Sequence, residues 1–65
     1  MDKEEIKRRL AERIDEDDEF ASSVQEALEA KDKHWLSTLL EQALGFLKEA
    51  LVGVAIRILQ NLMKG

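Results

Sequence analysis

The chain has no cysteine, a single histidine and three scattered glycines. Without cysteine there is no disulfide framework and no thiolate zinc site, the usual supports of a chain this short. One histidine without cysteine leaves no transition-metal cluster to assemble within the chain. Three scattered glycines form no phosphate-cradling loop. Long apolar runs are missing as well. Uncharged stretches reach at most seven residues, as in Ala50 to Ile56, against the roughly 20 that a membrane-spanning helix requires. The start, Met1 to Arg13, is dense with charge and holds no apolar stretch of the kind a secretion signal carries. A cytoplasmic protein is expected.

A basic excess is also lacking. The net charge is −4 and the isoelectric point about 4.9, so the footprint that phosphate backbones select is absent and no nucleic-acid partner is expected. The charge is unevenly placed. Residues 1–33 hold 12 acids and 7 bases, whereas residues 34–65 hold 2 acids and 3 bases. Hydrophobic residues follow the opposite trend, with 11 of the 29 in the first half and 18 in the second.

What is present is enough apolar content to fold. Hydrophobic residues make up 45% of the chain and charged ones 37%, too apolar for a disordered tail. At 65 residues the chain is one helical domain, residues 1–65. A domain of this size buries only about 60% of the surface its unfolded chain exposes, so its own core is marginal. Tight helical packing or self-association is the expected source of stability.

Helical periodicity runs through nearly the whole chain, and no window alternates like a strand. Asp2 with Glu5 forms a capping-box pattern, followed by Ile6, Leu10 and Ile14 at i+4 spacing. Glu4 with Arg8 and Glu5 with Arg9 are favourably oriented pairs. A helix over about 3–14 is expected. The acidic run Asp15-Glu16-Asp17-Asp18-Glu19 suits a helix start, where amide dipoles point outward. Asp17 or Asp18 then caps a second helix over 18–30, with Phe20, Val24, Ala27 and Leu28 on one face. Asp32 caps a third that begins near 33.

Beyond Trp35, the positions Leu36, Leu40, Ala43, Leu47, Leu51, Val54, Ile58 and Leu62 keep one helical phase straight through Gly45. Two outcomes compete there. Gly45 ends a helix in a Schellman cap with Phe46 packing back on Leu40, giving helices over 33–44 and 46–64. Alternatively it sits inside one long helix at a cost of about 1 kcal/mol. Phe46 to Glu49 offers no capping side chain, which favours continuity; the small size of a compact 65-residue chain favours a break. The expected fold is therefore an all-α bundle of three to four helices, with the C-terminal helix as its spine.

On a helical wheel of 46–64, Leu47, Leu51, Val52, Val54, Ile56, Ile58, Leu59, Leu62 and Met63 span an arc of about 200°, nearly twice the stripe of an ordinary surface helix. Part of that arc faces the core, and the surplus is expected to face a partner. Trp35, Leu47, Leu51, Val54, Ile58 and Leu62 are the candidate interface residues. Gly45 and Gly53 are candidate points of close helix approach.

Motifs for chemistry fail on inspection. Asp15, Asp17, Glu19 and Glu26 imitate calcium-loop spacing, but Phe20 stands where the turn needs glycine. His34 reads as a boundary residue, and Ser22, Ser23, Ser37 and Thr38 have no base partner by spacing. A helix-turn-helix match across Leu40 to Val54 would present Leu47, Val52 and Ile56 to DNA, and these read no base edges. The expectation is a non-enzymatic interaction module without cofactor or metal, self-associating (as a dimer first) or binding another protein through its C-terminal helix. The alternatives are a monomeric helical mini-domain, natural or designed, with no ligand, and a membrane-surface-active amphipathic helix, the least favoured because the acidic half repels anionic lipid.

Overall fold

A computed structural model of the chain describes residues 2–45 and 47–64. Among them run four α-helices: α1 (Lys3–Glu16), α2 (Asp18–Ala30), α3 (Lys33–Leu44) and α4 (Glu49–Met63). The all-α class follows directly. Three boundaries differ from expectation. α1 extends two residues further, to Glu16, and α4 begins three residues later, at Glu49, and ends one earlier, at Met63.

Aspartate starts each of the first three helices. Asp2 Oδ1 accepts from the Glu5 amide at 2.9 Å, Asp17 Oδ1 from Phe20 at 3.1 Å and Asp32 Oδ1 from Trp35 at 3.0 Å. Each bond satisfies an amide that has no partner within its helix. The Glu5 carboxylate is turned along its helix, pairing with Arg9 at 3.1 Å. Arg8 approaches the same carboxylate at 4.0 Å rather than pairing with Glu4.

Asp17 explains how five consecutive acids are tolerated. It is the single residue between α1 and α2, and it caps both. Its amide donates to the Arg13 carbonyl at 2.9 Å, while Oδ2 meets Arg13 Nε at 3.4 Å. The same guanidinium lies 5.4 Å from the centre of the Phe20 ring, so one arginine spans the corner. At the other end of α2, Lys31 adopts a left-handed conformation with φ 54°. Its amide donates to Leu28 and that of Asp32 to Ala27, the bonding pattern of a Schellman turn without the usual glycine.

Of the two outcomes open at Gly45, the break is the one observed. Gly45 ends α3 with φ 79°, its amide bonded to Glu41 at 2.8 Å. The chain then redirects so that Leu44 and Leu47 are both buried. Phe46, proposed to pack on Leu40, lies outside the described residues. α4 does begin without a capping side chain. Its first turn closes instead by a tight bond from Leu51 to the Lys48 carbonyl at 2.8 Å. Absence of a cap was therefore no obstacle to a break; burial of Leu47 outweighs the missing bond.

The core is built from Ile6, Leu10, Phe20, Val24, Ala27, Leu36, Leu39, Leu40, Leu44, Leu47, Ala55 and Leu59. The spine is not the C-terminal helix. α1 packs most extensively against the other three helices and α4 least. The narrow stripe of α1 suffices for this because Ile6 and Leu10 are fully buried between neighbours on both sides. The Cα radius of gyration is 10.4 Å, close to the ~11 Å of a compact chain of this length. No helix among the described residues is long and apolar enough to cross a membrane.

Candidate interaction surface

α4 is the helix richest in apolar side chains, yet only Ala55 and Leu59 are buried among its residues. These two define the direction facing the core. At 100° per residue, the stripe Leu51, Val54, Ile58 and Leu62 is centred about 75° to one side of it. All four are half-buried. Leu51, Ile58 and Leu62 still touch the core, while Val54 does not pack against the buried cluster of described residues. Val52, Ile56 and Met63 form the opposite flank, also half-buried.

The remaining interface candidates fall elsewhere. Leu47 precedes α4 and is buried in the core, so it anchors the connection and adds little to the exposed surface. Trp35 is half-buried at the start of α3 and packs on the core, apart from the Val54 flank. Of the six candidates the structure brings four onto one surface. Gly53 is exposed on α4 and Gly45 ends α3; beyond the adjoining backbone, neither has an atom within 4 Å of where a Cβ would stand.

Each flank of α4 borders a groove. The larger, about 500 Å³, is lined by Lys3 of α1 and by Ala50, Gly53, Val54, Arg57, Ile58 and Asn61 of α4. A second hollow of about 230 Å³, lined by Lys7, Ile58, Asn61 and Leu62, continues it. On the other flank, Ile56 and Gln60 meet Leu28, Lys31, Lys33 and Leu36 around about 280 Å³.

These linings are apolar in the floor and basic at the rim. Lys3, Lys7 and Arg57 are exposed, and none of them has a carboxylate partner among the described residues. The acids concentrate at the α1–α2 corner, in the run Asp15 to Glu19 around the single linking residue Asp17. The acidic run assembles no group of three potential metal ligands among the described residues. His34 is exposed, and its carbonyl accepts the Thr38 hydroxyl at 3.1 Å.

The basic rim is not visible from residues 46–64 alone, because two of its three cations belong to α1. The signal was present: Lys3 and Lys7 are spaced i,i+4 beside the Ile6–Leu10–Ile14 stripe, so they border whichever helix covers that stripe. Which helix does so depends on tertiary packing. Comparison with protein-family models, with curated proteins and with solved structures finds no match for this chain.

Proposed function

We propose that the chain is a non-enzymatic interaction module that engages another protein chain through the outer flank of α4. The observation that carries this reading is the mismatch on that helix. Its apolar arc is about twice the usual width, only Ala55 and Leu59 are buried, and Val54 has no place in the core. A cytoplasmic setting accompanies this reading, as does an occupant that is either a second copy or a different protein.

The test is amide perturbation mapping by NMR with a synthetic peptide carrying leucines on one helical face and glutamine elsewhere, together with sedimentation at two widely separated concentrations. Shifts confined to Ala50–Leu62, or a mass that grows with concentration and reverts with Val54→Asp, support the module. A chain that stays monomeric and binds no peptide is a self-contained mini-domain. Val54 suits this test because its replacement leaves the buried cluster untouched.

A further inference from the structure

We propose that the groove between α1 and α4 receives an acidic amphipathic helix from a different protein, with apolar anchors on Val54, Ile58 and Leu62 and carboxylates on Lys3, Lys7 and Arg57. The inference rests on the interaction-module reading and specifies the occupant.

Charge decides between occupants. The protein is acidic overall, at −4, yet the groove and its continuation are lined by three cations and no carboxylate among the described residues. Arg8 and Arg9 share Glu5, and Arg13 pairs with Asp17; Lys3, Lys7 and Arg57, like the other lysines, have no carboxylate partner among the described residues, and in this groove they stand together. A two-fold pairing would place this patch against itself. Cations would then face cations over a desolvated floor, and like-charge juxtaposition of this kind disfavours a partner strongly. A helix with acidic edges meets all three with opposite charge.

Shape agrees. The lining runs from Ala50 to Leu62, about 18 Å along the helix axis, which matches about three turns of a docked helix. Val54, Ile58 and Leu62 recur at i, i+4 and i+8 along it, about one apolar residue per turn for the anchors of a docked helix to meet. Gly53 lets a partner's backbone approach, since nothing beyond the adjoining backbone lies within 4 Å of its missing side chain. An anionic bilayer shares the charge requirement but is flat. It would also have to approach a protein whose α1–α2 corner is strongly acidic.

The experiment uses the full chain and two synthetic helical peptides with identical leucine faces, one flanked by glutamates and one by lysines. Binding is read by fluorescence anisotropy, and the site by amide shifts. The glutamate peptide is expected to bind, to shift Lys3, Lys7 and Val54–Leu62, and to weaken in about 0.5 M salt. The triple variant Lys3→Glu, Lys7→Glu, Arg57→Glu is expected to lose about tenfold or more in affinity for it and to gain for the lysine peptide, since three exposed pairs reverse sign. All three positions are exposed, so circular dichroism should report an unchanged fold.

Equal binding of both peptides would overturn the charge-based inference while leaving the interaction module standing. Dimerisation through Val54 and Ile58 would do the same. Anionic phosphatidylserine vesicles shifting these amides in place of the glutamate peptide would also overturn it, as would binding by neither peptide, which removes the module as well.

Discussion

Gly53→Ala is the substitution whose sign follows most directly from the geometry. Gly53 lies in the interior of α4, exposed, with no atom beyond the adjoining backbone within 4 Å of a built Cβ. Glycine at such a position costs about 0.8–1.0 kcal/mol relative to alanine, mostly through the freedom it retains in the unfolded chain. Nothing in the folded chain opposes recovery of that amount. For a domain of this size, 1 kcal/mol corresponds to a rise of about 4–8 °C in Tm. Against a total stability of about 3–10 kcal/mol, the gain should be plain in thermal and urea melts followed by circular dichroism, with an unchanged m value. Gly45→Ala provides the internal control. The space there is equally open, but φ is 79° with ψ −144°, so alanine should lose about 1–3 kcal/mol. The same chemical change should thus stabilise at one glycine and destabilise at the other. A Gly53→Ala protein no more stable than the parent would refute the reasoning, because the space beside Gly53 would then be filled in solution. If the loss grew with protein concentration, the filler would be a second copy.

Further predictions concern the core and the caps. Leu59→Ala removes a fully buried side chain and should cost about 3–5 kcal/mol; Val54→Ala should cost under about 1 kcal/mol, and similar urea midpoints for the two would contradict the assigned face of α4. Asp17→Ala removes the cap of α2 and a partner of Arg13, with an expected loss of about 1–2 kcal/mol, whereas Asp18→Ala should stay within about 0.5 kcal/mol. Lys31→Gly relieves a left-handed residue and should raise stability by about 1 kcal/mol in the same melts.

Local features were legible in the sequence wherever a few neighbouring residues determine them. The starts at Asp2, Asp17 and Asp32 are set by one side chain and one amide three positions on, so spacing reveals them. The choice between Asp17 and Asp18 was not visible, because both are short acceptors in an acidic run; the bond to Arg13 separates them. At Gly45 the local signals left two outcomes open. The periodicity of Leu40, Ala43, Leu47 and Leu51 is equally compatible with one helix or two, since it counts residues and ignores where the axis turns. Burial of Leu47 in the common core breaks the tie, and that is a long-range fact. The surplus of apolar surface on residues 46–64 was readable, and the helix does carry it. Its distribution was not, because the rotation of α4 about its axis is set by Ala55 and Leu59 meeting the other helices.

The uncapped entry to α4 also has a kinetic side. Its first turn lacks the side-chain bond that the other three helices possess, and it packs least extensively against the rest. Segments with few buried contacts open at lower free energy than the molecule as a whole. The amides of α4 should therefore exchange with deuterium before those of α1, whose Ile6 and Leu10 are sealed. Slower exchange in α4 than in α1 would contradict this order. The helix with the most charge would be the last to yield its protons, and the helix with the most hydrocarbon the first.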